Sequence, residues 1–164
     1  MRIGVVGDTH DRMTNVERIV ELFDEARVER IVHTGDITQP AVLEHFARLG
    51  VPLLGVFGNN DASGRSALVE TASEFGMDFI DPPRTVEWAG RRILIAHDPE
   101  EVPAIHEERH AIDLVLHGHT HRHRHEHIGA TLFFNPGECA GFLPGYNAVG
   151  LIDLIPLEAE RLHF

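Results

Sequence analysis

The spacing of apolar positions divides the chain into an alternating first half and a strand-rich second half. Arg2–Gly7 is a short β-branched run that stops at Gly7-Asp8, the pattern of a buried strand. Val16, Ile19, Val20 and Phe23 then recur at helical spacing, with Asn15 as the expected N-cap. A second strand is predicted over Arg30–His33, ending at Thr34-Gly35-Asp36, followed by a helix from Pro40 to about Leu49. A third strand, Pro52–Phe57, runs into Gly58-Asn59-Asn60-Asp61, and a helix over Ser66–Phe75 follows. Beyond this the pattern predicts a hairpin of Thr85–Trp88 and Arg92–His97 around an Ala89-Gly90 turn. A helix around Pro103–Arg109 is expected next, then strands over Asp113–His117, Arg122–Ile128, Thr131–Asn135, Ala148–Leu154 and Leu157–His163.

The opening βαβαβ rhythm demands a parallel sheet with helical crossovers. The later hairpins predict a second sheet stacked on the first, giving an α/β sandwich. With 164 residues and neither an internal repeat nor a linker, one domain spanning 1–164 is expected. No apolar run approaches the roughly 18 residues of a membrane span. Cys139 is the only cysteine and no cleavable leader pattern opens the chain, so a reducing cytoplasm is the expected location.

Charge narrows the function further. Acids outnumber bases 26 to 14, every base is arginine, and the formal charge is −12. That balance argues against a nucleic-acid-binding surface, which needs clustered positive charge. It fits a solubilising surface encoded by a GC-rich genome, or salt adaptation. Thirteen histidines are a large excess, and six of them alternate at positions 117, 119, 121, 123, 125 and 127. This density asks for a metal.

The chemistry sits just beyond the predicted strands. Asp8-Thr9-His10 follows the first, Gly35-Asp36 the second and Gly58-Asn59 the third; His97 and Gly118-His119-Thr120-His121 follow two later ones. Ligands of open α/β sheets bind outside the carboxyl ends of strands, so these five loops should converge. Each motif alone is weak, since Gly-Asp and Gly-Asn are ordinary turn dipeptides. Their ordered recurrence is what carries the inference. Two carboxylates, one amide oxygen and four imidazoles suit Mn²⁺, Fe, Ni²⁺, Co²⁺ or Zn²⁺ better than Ca²⁺. Seven ligands exceed one tetrahedral ion, whereas two ions sharing a carboxylate would use them all.

Asp8-x-His10, Gly35-Asp36, Gly58-Asn59-x-Asp61, His97 and Gly118-His119-x-His121 together resemble the signature of the calcineurin-like metallophosphoesterases. The Gly58–Asp61 loop and Asn135-Pro136-Gly137-Glu138-Cys139 resemble the small prokaryotic phosphodiesterase branch. The resemblance implies a four-layer αββα fold and two divalent ions, with Mn²⁺ favoured. It places Asp8, His10 and His121 on one ion and Asn59, His97 and His119 on the other, with Asp36 bridging. Such a pair lowers the pKa of a bridging water, which attacks phosphorus in line, while the ions hold the phosphate oxygens. Two departures stand out. The family's larger members carry a histidine after the metal-binding asparagine, where this chain has Asn60, a hydrogen-bond donor but no general acid. Asp61, which would orient that histidine, is retained. Many relatives also read His-Gly-His where this chain has His97-Asp98-Pro99, putting extra negative charge near the site.

The remaining candidates read as follows. His123, His125 and His127 would share one strand face, an exposed polar one or else an auxiliary metal or substrate patch. His117 packs behind the site, and His33 either supports Asp36 or fills the core. His106 and His110 fall between two ligands, where a lid could lie. Arg12 and Arg65 could greet a phosphate but read more simply as surface, and Cys139 as packing. The expected partner is a small phosphate ester, with homo-oligomerisation left open. A phosphodiesterase leads. A phosphomonoesterase acting on a nucleotide or sugar phosphate, a non-catalytic interaction scaffold and a metal-storage protein are the alternatives.

Overall fold

The computed structural model describes residues 1–102 and 112–164. The expected helix around Pro103–Arg109, with His106 and His110, lies outside the described residues. No helix among those described is long and apolar enough to cross a membrane.

Two mixed sheets stack face to face. The first carries β1 (Arg2–Val6), β2 (Arg30–His33), β3 (Leu53–Val56), β4 (Asp78–Ile80), β10 (Ala148–Leu154) and β11 (Leu157–His163), in the order β11-β10-β1-β2-β3-β4. Strands β1 to β4 run parallel, while β10 and β11 return antiparallel on the β1 edge. The second sheet is β5 (Arg84–Trp88), β6 (Arg91–Ile95), β7 (Leu114–Leu116), β9 (Thr131–Asn135) and β8 (Arg124–Ile128) in spatial order. Here β6, β7 and β9 are parallel and β5 and β8 close the edges antiparallel. The last hairpin therefore joins the first sheet, although its pattern alone could not assign it to either.

Between the sheets, Ile3, Val5, Val32, Ile93, Ile95, Leu116 and Phe134 form a fully buried layer. The outer face of the first sheet is covered by α1 (Met13–Glu25), α2 (Pro40–Ala47) and α3 (Arg65–Glu74), through Val16, Ile19, Phe23, Leu43, Phe46 and Leu68. Helix α1 lies close because Gly4 leaves room: a Cβ there would meet the Phe23 ring at 2.8 Å. On the outer face of the second sheet, Leu94, Ile112, Val115 and Phe133 form a smaller cluster with Val102 packed against it.

Asn15 is not the cap of α1. The helix begins two residues earlier, and the Asn15 amide instead donates to the Cys139 carbonyl at 2.7 Å, tying the first turn to a loop from the far end of the chain. A tertiary bond has displaced the local one. Strand β4 went unread because Asp78-Phe79-Ile80 is three residues long and largely exposed, too short for alternation to register. Ala89 and Gly90 both take positive φ, the geometry of the tight turn the hairpin needed.

Phe23 sets the spacing between helix and sheet, so Phe23→Ala should lower stability by about 3–5 kcal/mol in urea unfolding. A loss below about 1 kcal/mol would show that this helix does not hold the sheet in place.

Candidate metal centre

Every predicted ligand sits just past the carboxyl end of a parallel strand: Asp8 and His10 beyond β1, Asp36 beyond β2, Asn59 beyond β3, His97 beyond β6, and His119 and His121 beyond β7. Backbone bonds stitch these ends together, Asp8 N–H to Gly35 O at 2.9 Å, His10 N–H to Asp36 O at 3.1 Å and Gly118 N–H to His97 O at 3.0 Å. All seven side chains reach one place. The carboxylates and ring nitrogens form two overlapping groups, Asp8 with His10 and His121, and Asp8 with Asp36 and His97, each within 4.8 Å.

Asp36 lies between two halves of the site. Its Oδ2 is 3.5 Å from His10 Nε2 and its Oδ1 is 3.5 Å from His97 Nε2. On one side His10 Nε2 faces His121 Nε2 at 3.3 Å, with Asp8 Oδ1 3.7 Å from that same His121 nitrogen. On the other, Asn59 Oδ1 lies 3.0 Å from His97 Nε2 and 3.1 Å from His119 Nδ1, and those two nitrogens are 3.2 Å apart.

The tautomers decide what these close approaches mean. The Thr34 carbonyl, 2.8 Å from His97 Nδ1, can only accept, so Nδ1 carries the proton and Nε2 points its lone pair inward. Asp98 approaches His119 Nε2 at 3.4 Å, on the ring edge away from Asn59. The His97 Nε2 lone pair and the Asn59 amide oxygen, both acceptors, thus meet at 3.0 Å. Such a set repels itself unless a cation stands among the acceptors. The residues present therefore fit a divalent ion on each side of Asp36, in mixed oxygen and nitrogen surroundings.

Electrostatics point the same way. Asp8 and Asp36 are both buried, at 0% and 2% exposure, with no lysine or arginine paired to either among the described residues. Burial, and then the charge of Asp36, push the Asp8 carboxyl up to about 8. Backbone strain marks the same spot. Of the nine non-glycine residues with positive φ among those described, five are ligand candidates: Asp8, His10, Asp36, His119 and His121. Each costs on the order of 1 kcal/mol, and their concentration here is the signature of a functional site.

The supporting cast was only partly foreseen. Asp61 does not orient residue 60. Its buried carboxylate accepts the backbone N–H groups of Asp36, Ile37, Thr38 and Gly58 at 2.7–3.0 Å, clamping two ligand loops together. Asn60 turns to Asp36 as well, its backbone N–H reaching Oδ1 at 2.9 Å and its amide Oδ2 at 2.6 Å. His33 is buried, bonded to Thr9 Oγ1 at 3.3 Å and accepting from Gly35 N–H at 3.2 Å, while it packs edge-on to Phe46. It both supports the Asp36 loop and fills the core. Gly118 is required by proximity, since a Cβ there would lie 2.8 Å from Asp8 Oδ2.

Arg12 donates to the Ala140 carbonyl, and Arg65 pairs with Asp81 while lying over the Phe57 ring, so both are structural. Cys139 is buried, its thiol donating to Gly7 O. His117 is buried at the end of β7, behind Gly118. His123, His125 and His127 are exposed at the β8 edge, the first two edge-on to Phe134. Sequence reasoning missed Phe142, whose ring lies 5.6 Å from those of both His10 and His121, because one aromatic in a glycine- and proline-rich loop carries no periodicity.

Comparison with known proteins places the chain. The calcineurin-like phosphoesterase superfamily domain matches residues 1–154, and the chain belongs to that family. It is 32% identical to phosphodiesterase MJ0936 of Methanocaldococcus jannaschii over 155 residues, 93% of each chain. Phosphodiesterase YfcE of Escherichia coli is 26% identical, covering 84% of this chain and 79% of that one. Among solved structures, one of a novel archaeal phosphodiesterase superposes with a TM-score of 0.90 at 31% identity, covering 100% of both chains. Vps29 of Entamoeba histolytica shares the fold at a TM-score of 0.68 and 18% identity, over 100% of this chain and 99% of that one.

The site gives a pH signature to the metal-free chain. Folded Asp8 holds its proton up to about 8, whereas the unfolded carboxyl releases it near 3.8, so stability falls as pH rises through that interval. Burial acts oppositely on His33, pulled down to about 3, and lowers His117, His121 and His123 below 6.5. Those rings cost stability as pH falls below 6.5, where the unfolded chain takes up protons that the folded one refuses. In chelator, the thermal midpoint should therefore decline from about pH 6.5 to 8, and Asp8→Asn should remove the decline. An identical decline in the variant would contradict this assignment.

Proposed function

We propose that the chain is a metal-dependent phosphodiesterase that hydrolyses a small phosphate diester. The observation that carries this reading is Asp36, one carboxylate oxygen turned to each cluster of inward-facing ligand atoms. In this reading Asp8, His10 and His121 hold one ion, Asn59, His97 and His119 hold the second, and Asp36 bridges them. Mn²⁺ is the metal proposed, with Ni²⁺, Co²⁺, Fe and Zn²⁺ as substitutes, and the cytoplasm is the proposed location. Two ions held there would supply an ionised water and neutralise the phosphoryl oxygens.

The chain's own residues set the conditions for that chemistry. Thr34 fixes the His97 tautomer through its carbonyl, so that ring presents a lone pair without rotation, and Asp98 approaches His119 Nε2 at 3.4 Å. Asn60 grips both oxygens of Asp36 and keeps the bridge from swinging to one side. Asp61 holds the loops of Asp36 and Asn59 at a fixed distance, a positioning role rather than a chemical one. An amide N–H is no general acid, so Asn60, turned onto Asp36, does not protonate a leaving alkoxide. Diesters whose leaving group is already a stable anion are the substrates this site favours.

The reading is supported by family membership and by relatives that are themselves phosphodiesterases. It is tested by paired hydrolysis of bis(p-nitrophenyl) phosphate and p-nitrophenyl phosphate with Mn²⁺. The diester should be preferred, and Asp36→Asn should lower kcat by at least about 10²–10³-fold. Preference for the monoester would reassign the reaction to phosphomonoester hydrolysis. Near-normal turnover in Asp36→Asn would refute the bridging role.

A further inference from the structure

The chain carries a pronounced excess of acid, yet the pocket beside the metal centre is lined on the opposite principle. A cavity of about 280 Å³ opens between His121, Arg122, His123, Leu143, Tyr146 and Arg161. Two arginines and two histidines border it, with no acid among the described lining residues. A second pocket, on the β10–β11 hairpin, is bordered by Asp153, Glu158 and Glu160 against the single base Arg2, which is paired with Asp153. Neither Arg122 nor Arg161 has a carboxylate partner among the described residues. Arg161 uses two of its five N–H donors, Nε to the Pro136 carbonyl at 2.7 Å and Nη2 to the Tyr146 carbonyl at 3.2 Å, which leaves three. Unpaired guanidinium groups at a concave, partly apolar surface are an anion-recognition arrangement.

The other wall is aromatic and held open. Phe142, Leu143 and Tyr146 are 61%, 56% and 60% exposed, three of the eight exposed large apolar side chains among the described residues. They lie on one loop, which is tied down at its start by Arg12 to Ala140 O and Asn15 to Cys139 O. Its middle is held by Leu143 N–H to the buried Glu138 carboxylate at 2.9 Å, and its end by Arg161. Anchored at all three points, the loop presents its rings to solvent instead of burying them. Phe142 lies nearly parallel to His121, at 27°, so the aromatic wall begins on a ligand ring of the metal centre.

We propose that this pocket is the subsite for one organic arm of the diester, and that the arm it selects is a planar ring carrying a further negative group. The ring lies against Tyr146 and Leu143, which line the cavity, while Arg122 and Arg161 receive the anion. A purely apolar arm would leave both guanidinium groups unmatched, and a purely anionic one would leave the aromatic wall in water. The inference rests on the phosphodiesterase reading above and adds the substrate class to it.

Non-hydrolysable phosphonates test the pocket separately from the chemistry. Methylphosphonate, phenylphosphonate and 3- and 4-carboxyphenylphosphonate share one headgroup and differ only in the arm. As competitive inhibitors of bis(p-nitrophenyl) phosphate hydrolysis, the phenyl compound should bind about tenfold more tightly than the methyl. At least one carboxyphenyl isomer should gain about tenfold more. The solvent-exposed substitution Arg122→Gln should erase the gain from the carboxylate, and Tyr146→Ala the gain from the ring. Independently of turnover, amide NMR shifts on adding the carboxyphenyl compound to metal-free protein should centre on Arg122, Leu143 and Tyr146. Equal inhibition by all four phosphonates, ratios unchanged in both variants, or shifts that avoid these residues would overturn the subsite while leaving the phosphodiesterase reading intact. No diester turnover by the Mn²⁺-loaded protein would remove that reading and the subsite with it.

Discussion

Two buried carboxylates, Asp8 and Asp36, stand together with no arginine paired to either among the described residues, and most of this molecule's local structure follows from that constraint. Leaving such charges uncompensated inside a protein is expensive, and the metal-free chain answers by holding a proton on Asp8 far above its ordinary range. The inward-facing Nε2 of His97 and the Asn59 amide oxygen add acceptors rather than donors to the same space. Nothing in this arrangement is self-sufficient. It is a shell built for positive charge that the polypeptide does not provide.

The fold supplies the convergence that makes the shell feasible. Parallel strands place their carboxyl ends on one edge, so β1, β2 and β3 bring three loops together without long connections. The second sheet presents β6 and β7 in the same direction across the interlayer core, which brings His97, His119 and His121 opposite Asp8 and Asp36. The price is backbone strain at five ligand positions, held in place by Asp61 and by the strand-to-strand hydrogen bonds just below the site.

Much of this could be read from the residues in order. The bounds of β2, β9, β10 and β11 follow from apolar spacing and turn residues, and the seven ligand candidates from their recurrence at strand ends. What stayed hidden shares one physical character: it depends on partners far away in sequence. Asn15 looks like a cap until Cys139 arrives 124 positions later. Asp61 looks like a chemical residue until four backbone donors from two loops surround it. Asn60 reads as a hydrogen-bond donor in the place of the family's histidine, and only the fold turns its amide onto Asp36. Phe142 and the arginine-lined pocket leave no trace in periodicity, because a loop held by tertiary bonds obeys none.

The most direct measurement is anomalous diffraction from crystals grown with Mn²⁺. The account predicts two peaks on either side of the Asp36 carboxylate, about 3.5–4 Å apart, one beside His10 and His121 and the other beside Asn59, His97 and His119. A single peak, or ions bound elsewhere with Asp36 still held only by Asn60, would contradict it.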